Sequence, residues 1–260
     1  MAAQTGRSIS RYVRAWGGTA AVAYDLSGDA TSVGILGVDF ESQDIKVLNS
    51  EVTGAMLGRP TFSLGPINSI LTTGAAGIGT FDKQAILQGT LQTMLVAWGM
   101  REAPTYGSIA FMGQFHLKSL MGLDTDVTHS LSASYSPTTP AGLNYVKAWG
   151  NVVHPLAAET AANTGTTNVV DGGAATTAGG YLVYVLTSLN AGTVAISIDD
   201  SADGSSYSAL SGATSGALAA VGAGLVQLGT TATVRRYIRW QAAFAGGATA
   251  ATFAIGFVRG

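Results

Sequence analysis

The stretch "TVRRYIRWQAAF", residues 233–244, carries the alternation of side chains that decides the fold class. In an extended strand, successive side chains point to opposite faces. The residues of one face are Val234, Arg236, Ile238 and Trp240, and those of the other are Arg235, Tyr237 and Arg239. A period of two over this length predicts a half-buried β-strand whose second face lies in water or at an interface.

Five further segments after residue 180 have the same character, being short, rich in β-branched and aromatic residues, and bounded by turn residues. They are "YLVYVLTSL" (181–189), "GTVAISI" (192–198), "SYSALSG" (206–212), "GLVQLG" (224–229) and "ATFAIGFVR" (251–259). Six strands without helical periodicity are typical of a small β-sandwich of the Ig-like or jelly-roll-like kind. Because the composition shifts to small residues after Pro155, we predict that residues 156–260 form a separate C-terminal domain.

Residues 1–155 contain a second set of strand-like segments, separated by Gly, Pro, Ser and Asp turns. They are "TAAVAYDL" (19–26), "PTFSLGPINSIL" (60–71), "GSIAFMGQFHLKSL" (107–120), "THSLSASYSP" (128–137) and "LNYVKAWGNVV" (143–153). This spacing predicts a mainly antiparallel β domain over residues 1–155. Residues 37–60 are less regular, and we interpret part of them as a long excursion loop of the kind that is commonly functional.

One segment, residues 81–99, has helical periodicity. Its apolar residues recur at spacings of three and four, namely Ile86, Leu87, Leu91, Met94, Leu95 and Trp98. The pattern predicts an amphipathic helix that ends at Gly99 and braces the sheet of the first domain.

The chain is unusually poor in charge. Its 260 residues include 13 Lys and Arg and 15 Asp and Glu, for a formal net charge of −2. The absence of a basic cluster argues against DNA binding by phosphate neutralisation, and a surface made of small uncharged residues favours self-association. The uncharged run 204–234 is long enough to span a bilayer, but its many Gly, Ser and Thr residues predict strands and turns instead.

The run "DDSADG", residues 199–204, poses the question of a metal site. Asp199, Ser201 and Asp203 match the first half of a Ca²⁺ loop, but Leu210 stands where such a loop needs a bidentate Glu. Asp203-Gly204 is also a strong hairpin dipeptide. We predict a bend between two strands, with the Ca²⁺ loop as the alternative, and no other metal or cofactor site.

No catalytic motif supports an enzyme. His116, His129 and His154 have no metal-ligand spacing, so we interpret each as a lone packed or exposed histidine. A hydrolase would need an acid pair, for which the candidates are Asp25, Asp29, Asp39, Glu41, Asp44 and the cluster Asp199, Asp200 and Asp203. Without a motif that positions such a pair, we predict that the protein is not an enzyme.

Several stretches, taken in order, resemble tail tube proteins of long-tailed bacteriophages, in particular the kind that carries an appended β-sandwich. They are "VAYDLSGDATSVGIL" (22–36), "SLSASYSP" (130–137), "AISIDDSADGSSYSALSG" (195–212) and the end of the chain from residue 233. The resemblance implies a tube domain of sandwich or barrel form whose subunits make six-membered rings, stacked into a channel for genomic DNA. It implies a location in the virion tail, assembly in the bacterial host cytoplasm, and contacts with the tape measure, tail terminator and tail tip proteins, without membrane contact.

The same resemblance implies that residues 37–60 reach an adjacent ring or subunit. The apolar anchors of that contact would be Phe40, Val47, Leu48, Met56 and Leu57, unless these residues pack within their own domain. Residues 156–260 would decorate the outside of the tube. A second function is a decoration or receptor-binding module, in which the face formed by Arg235, Tyr237 and Arg239 contacts host glycans weakly.

Overall fold

The computed structural model describes residues 12–28, 30–34, 36–45, 54–70, 80–100, 102–124, 129–137, 147–161 and 168–260. Within these ranges the chain forms seventeen strands and one α-helix. The elements are β1 (Val13–Gly18), β2 (Ala23–Asp25), β3 (Ala30–Val33), β4 (Leu36–Ile45), β5 (Gly54–Leu64), β6 (Ile67–Ile70), α1 (Thr80–Leu87), β7 (Leu91–Trp98), β8 (Ile109–Asp124), β9 (His129–Pro137), β10 (Trp149–Thr160), β11 (Val169–Asp171), β12 (Gly180–Leu189), β13 (Thr193–Ser201), β14 (Ser208–Leu218), β15 (Gly222–Gln227), β16 (Tyr237–Ala245) and β17 (Ala250–Arg259). The prediction of a mainly β, antiparallel protein is confirmed.

The largest sheet joins strands from both ends of the chain. Its main order is β15-β12-β17-β10-β8-β7-β1-β2, and β9, β6 and β3 extend it from the far half of the long strand β8. The predicted boundary between residues 155 and 156 falls inside β10, which is hydrogen-bonded to β8 on one side and to β17 on the other. Residues 1–155 and 156–260 therefore contribute to one continuous sheet.

This sheet curls until its two ends meet. The backbone N–H of Ala223, in β15, donates to the carbonyl of Thr19 in the turn between β1 and β2, at 2.7 Å from donor to acceptor. β12 and β15 also lie against β1, β2 and β7. The enclosed space holds a core, core A, of which Trp16, Leu95 and Val183 are members. The main strands thus form a filled, barrel-like layer rather than a flat sheet.

A second sheet, in the order β11-β16-β13-β14, covers the outer face of β10, β12 and β17. The core between the two sheets, core B, includes Trp240 and Ile196 from the second sheet and Phe253 from the first. Strand β17 serves both cores. It directs Phe253, Ile255 and Phe257 into core B and Ala254 and Val258 into core A.

A third core, core C, lies on the opposite face of β7 and β8. It is built by Phe111, Phe115 and Met94 together with side chains from β6, β9 and α1. The helix is fastened there by Leu87, which is fully buried, and by the Tyr135 hydroxyl, 3.2 Å from the Gln84 side-chain oxygen. The helix therefore braces the sheet as predicted, but it is short.

The predicted helix over residues 81–99 is wrong in its second half. The helix ends at Leu87, Gly89 adopts a left-handed φ of 72°, and residues 91–98 form β7. β7 is buried on both faces, because Met94 and Val96 point into core C and Leu95 and Ala97 into core A. A strand buried on both sides has a nearly continuous apolar run, which periodicity alone does not distinguish from a buried helix.

The C-terminal strands lie close to the predicted segments, but the strand predicted over 233–244 begins only at Tyr237. Arg236, which the alternation placed on the same face as Val234, Ile238 and Trp240, is exposed, because it precedes the strand and pairs with Asp171. Val234, Ile238 and Trp240 are buried, at 0%, 2% and 0% exposure. The uncharged run 204–234 contains β14 and β15. Nowhere in the described ranges is there a helix long and apolar enough to cross a membrane.

Candidate functional site

The strands β4 and β5 form a distinct feature, which we call the arm. They pair with each other over nine residue pairs and with no other strand that the structure describes. The arm meets the body mainly where β5 contacts β9. A strand of ten residues is roughly 33 Å long at about 3.3 Å per residue. A two-stranded sheet alone is only marginally stable in water. Because no described strand pairs with its outer edges, the arm has backbone groups suited to pairing with another chain.

The arm corrects the prediction of a long irregular loop at residues 37–60, since most of that segment is regular antiparallel β structure. Of the predicted anchors, Phe40 lies in β4, whereas Met56 and Leu57 lie in β5. Val47 and Leu48 lie outside the described residues. The pairing shifts by one residue beyond Phe40, which lies opposite Pro60. Proline within a strand is tolerated at such bulges and at sheet edges.

An exposed aromatic patch lies on the face of β7, β8 and β10 that also bears core C. The Trp98 and Trp149 rings are 5.3 Å apart, and the Phe111 ring meets Trp149 edge-on at 5.3 Å. Trp149 is 43% exposed and Ile109 46% exposed. Beside the two tryptophans lies a cleft of about 310 Å³ that has no charged side chain in its lining. Large exposed apolar groups in a patch mark contact surfaces.

The predicted binding face of Arg235, Tyr237 and Arg239 is electrostatically neutralised within the protein. Arg235 is 2.8 Å from the buried carboxylate of Asp200, and Arg239 is 3.0 Å from that of Asp199. The Arg235 side chain also donates to the Ser208 hydroxyl. Because each guanidinium already has a carboxylate partner, this face offers no free cation for an acidic ligand.

Two further contacts on this sheet pair arginine with acidic and aromatic groups. Arg236 donates two hydrogen bonds to Asp171, of 2.8 Å and 2.7 Å, and this contact lowers the pKa of Asp171 to about 2. The Arg239 guanidinium lies over the Tyr207 ring, 4.2 Å from its centroid. Such charge-assisted and cation–π contacts fix side chains in place.

The run "DDSADG" is a bend, as predicted. β13 and β14 are antiparallel neighbours joined by residues 202–207, with Gly204 at a φ of 74°. The Asp203 carboxylate accepts hydrogen bonds from the backbone N–H groups of Ser205 and Ser206, at 2.9 Å and 2.8 Å. These bonds hold its pKa well below the usual range. Among the described residues there is no cluster of three or more His, Asp or Glu side chains suited to a metal.

Of the acid-pair candidates of the first half, Asp25 is the one whose side-chain contacts the structure describes. The Asp25 carboxylate accepts a hydrogen bond of 2.9 Å from the backbone N–H of Ser27. Asp39, Glu41 and Asp44 all lie in β4, and Asp29 lies outside the described residues. None of these observations points to general acid–base chemistry.

His154 is a packed histidine, one of the two predicted alternatives, but it is not alone, because it has an acidic partner. Its ring is fully buried, with Nε2 at 2.9 Å from the Glu159 carboxylate and Nδ1 at 3.1 Å from the carbonyl oxygen of Phe253. The Trp240 ring meets it edge-on at 4.4 Å. His116, by contrast, is exposed on β8, as the sequence allowed, and His129 lies in β9.

The second of two bulges in β10 creates the His154–Glu159 contact. The pairing with β17 shifts once between Val152 and His154 and again between His154 and Ala157. Residues 154 and 159 are an odd number of positions apart, so a regular strand would place them on opposite faces. The extra residue between them restores the same face. The sequence pattern did not predict the contact between His154 and Glu159. A period of two assumes a strand without bulges and places these two side chains on opposite faces.

Burial is the largest influence on the imidazole and lowers the pKa of His154. The Glu159 carboxylate and the carbonyls of Phe253 and Pro155 oppose it. Burial, followed by the charge of Glu159, raises the pKa of the neighbouring Tyr106, so its phenol stays protonated.

Comparisons with known proteins add no structural or functional assignment. No family model matches the chain, and no curated protein matches it. Among solved structures, the chain is similar to the SPP1 Dit protein, described as a paradigm of the hub adsorption apparatus in phages that infect Gram-positive bacteria. The identity is 8%, the match covers 94% of this chain and 99% of that one, and the TM-score is 0.31. At these values we draw no functional conclusion from the likeness.

Proposed function

We propose that this chain is a structural subunit of a bacteriophage tail that assembles with copies of itself into stacked, six-membered rings around a channel for DNA. The observation that carries the proposal is the arm, a two-stranded sheet whose outer edges pair with no described strand. A neighbouring subunit would complete these edges, and a head-to-tail contact repeated along an axis builds a filament.

Two further properties support assembly. The patch around Trp149 and Ile109 exposes apolar area that a subunit contact would bury. A chain with 28 charged residues in 260 has few charges to desolvate when its surface is covered, and a channel without basic clusters would let DNA slide. In this role the protein carries no cofactor and catalyses no reaction.

The proposed setting determines the other partners. Within a virion tail assembled in the host cytoplasm, the ring would meet a tape measure protein inside the tube and terminator and tip proteins at its ends. Residues of β11, β13, β14 and β16 would lie on the outside of the tube as a decorating layer.

Electron microscopy of negatively stained protein over a range of concentrations tests the proposal. The wild-type chain should form hollow filaments or stacked rings. A variant without residues 39–61, with Val38 joined to its cross-strand partner Phe62 by Asn-Gly, should fold but stop at rings or single particles.

A second shortened hairpin serves as the matched control. Replacing residues 201–207 by Asn-Gly joins the cross-strand partners Asp200 and Ser208. This variant should form filaments like the wild type, and circular dichroism should show that both variants fold. If the arm variant forms filaments, the arm is not needed for assembly. If wild-type particles stay single at every concentration, the proposal that the protein forms a tube is contradicted.

The second candidate function is weak binding of host glycans by the C-terminal face, or decoration of the virion. It is favoured by the aromatic rings of Tyr207 and Tyr237, which are partly exposed beside paired arginines. Because those arginines are neutralised, the ligand would be an uncharged saccharide stacked on a ring. Glycan-array binding that is lost in Tyr237→Ala, without assembly of the wild type, would favour this function over the tube.

A further inference from the structure

The His154–Glu159 pair lies where the two sheets are packed together. Both residues belong to β10 of the main sheet, and the His154 ring contacts Trp240 of the second sheet and Phe253 of β17. The glutamate is 10% exposed at its side chain and the histidine is not exposed. A polar pair in such a place is costly unless its hydrogen bonds are all made.

Both ring nitrogens of His154 face oxygen acceptors. The carbonyl oxygen of Phe253, 3.1 Å from Nδ1, only accepts hydrogen bonds, so Nδ1 must carry a proton. The Oε1 atom of Glu159 is 2.9 Å from Nε2. An ionised carboxylate also only accepts, and a neutral imidazole protonated at Nδ1 has a lone pair at Nε2. The short contact therefore needs one additional proton, on Nε2 or on the carboxyl.

We propose that His154 and Glu159 hold one shared proton, and that the pair is a proton-dependent clamp between the two sheets. With this proton the pair has no net charge, whichever atom carries it. Burial lowers the pKa of His154 although Glu159 opposes this effect, so an imidazolium is disfavoured here even beside the carboxylate. A proton shared within the pair leaves no net charge to desolvate. Loss of the proton leaves a lone pair and a carboxylate facing each other at 2.9 Å.

Among the described groups that contact His154, none except Glu159 carries a negative charge that could balance a proton on the imidazole. Tyr106 meets the imidazole edge-on at 5.8 Å and stays protonated. Trp240 and Phe253, from β16 and β17, are uncharged, and the remaining backbone contributor is the carbonyl of Pro155. Glu159 is the one charged group that acts on His154 within the described residues.

The pair predicts a specific pH profile. In the unfolded chain, His and Glu titrate near 6.5 and about 4.3 respectively. Between these values the unfolded pair also carries one proton, so its contribution to stability does not change. Above pH 6.5 the native pair holds the extra proton, and the folding equilibrium constant should fall up to about tenfold per pH unit. Below pH 4.3 the unfolded chain binds more protons, and stability should fall again.

Urea unfolding of the full chain from pH 4 to 9 tests the clamp, with Glu159→Gln as the informative variant. A glutamine amide donates a hydrogen bond to Nε2 without any shared proton. The ratio of wild-type to variant equilibrium constants should therefore fall about tenfold per unit above pH 6.5. His116→Gln, at an exposed position, should leave the wild-type profile unchanged.

Independent titration gives the opposite sign and would overturn the proposal. A neutral His154 with a lowered pKa contributes stability that is present above pH 6.5 and is lost as the pH falls below that value. A flat ratio over the whole range would overturn the proposal equally.

Proton NMR of the wild-type chain provides a test that needs no stable variant. At pH 7.5 the folded protein should show two protected resonances from this site, the Nδ1 proton and the shared proton, assigned in the wild-type chain by selective ¹⁵N labelling of histidine. A single resonance from Nδ1 would mean that no proton is shared, and the clamp would be rejected.

Discussion

At the scale of single residues, each acidic group of the "DDSADG" run has a partner within its own sheet. Asp199 contacts Arg239, Asp200 contacts Arg235, and Asp203 binds the backbone of its own turn. The alternation of side chains predicted which residues of β16 are buried, because β16 is regular. It did not predict the ion pairs, since the partners are more than thirty positions apart and are brought together by the pairing of β13 with β16.

The Asp199–Arg239 pair permits a prediction at this scale. Both side chains are largely buried, at 13% and 18% exposure, and their residues are cross-strand neighbours. A double-mutant cycle with Asp199→Ala and Arg239→Ala should give a coupling free energy of about 1 kcal/mol from urea unfolding. The coupling should weaken in 1 M salt, since salt screens partly exposed ion pairs.

The cation–π contact permits an extension of that cycle. Tyr207→Leu removes the ring that fixes the Arg239 guanidinium but leaves the carboxylate, so it should weaken the Asp199–Arg239 coupling. A coupling near zero in the wild-type background would mean that solvent competes fully for this pair.

At the scale of elements, the decisive feature is the change from helix to strand at Gly89. The Thr90 hydroxyl donates to the carbonyl of Leu87 at 2.6 Å, and the Gly89 N–H donates to Leu117 of β8 at 3.2 Å. These contacts end the helix. Because β7 is buried on both faces, its apolar residues have spacings that also fit the apolar stripe of a helix. The sequence therefore does not distinguish helix from strand here, whereas the contacts on both faces of β7 do.

Gly89→Ala distinguishes a helix that ends at Leu87 from a continuous helix over residues 81–99, because the two predict opposite signs for the change in stability. In the structure Gly89 has a φ of 72° with open space around its Cα, so alanine should destabilise the protein by about 1 kcal/mol through backbone strain alone. In a continuous helix over 81–99 the same change would stabilise it by about 1 kcal/mol. Equilibrium unfolding in urea measures the difference.

Gly122→Ala is a suitable control for this test. Gly122 lies in β8, has an ordinary φ and has no atom within 4 Å of an added Cβ. Its replacement should leave stability unchanged or raise it slightly. If alanine destabilises the protein at Gly122 as well as at Gly89, the loss of stability at Gly89 is not specific to its left-handed backbone conformation.

At the scale of the whole molecule, the order of the strands within the sheets could not be predicted from the sequence. Local patterns predicted most strands and the antiparallel class. The pairing of β10 with β8 and with β17 depends on contacts between distant parts of the sequence, such as Trp149 with Phe111 and Asn151 with Phe257. The composition shift after Pro155 suggested a domain boundary at a place where the main sheet is continuous. The small residues there belong partly to β10 and to the turns around β11.

A shared sheet predicts that the whole chain unfolds in one step. Core A contains Trp16 and Leu95 from the first part and Val183 from the second, so neither part keeps this core alone. Calorimetry should show a single transition whose calorimetric and van't Hoff enthalpies agree. Phe115→Ala in core C and Phe253→Ala in core B should each destabilise by roughly 3–5 kcal/mol and lower that same transition.

Two independent domains would respond differently to this pair of substitutions. Phe115→Ala would shift one transition and Phe253→Ala another, because each cavity would lie in a separate cooperative unit. That outcome would mean that the main-sheet hydrogen bonds between β10 and its neighbours break separately, and it would favour a tail tube whose outer layer is an appended module. A single transition would favour a subunit in which the outer layer of β11, β13, β14 and β16 stabilises the barrel-like layer directly, since Trp240 and Phe253 are packed in one core.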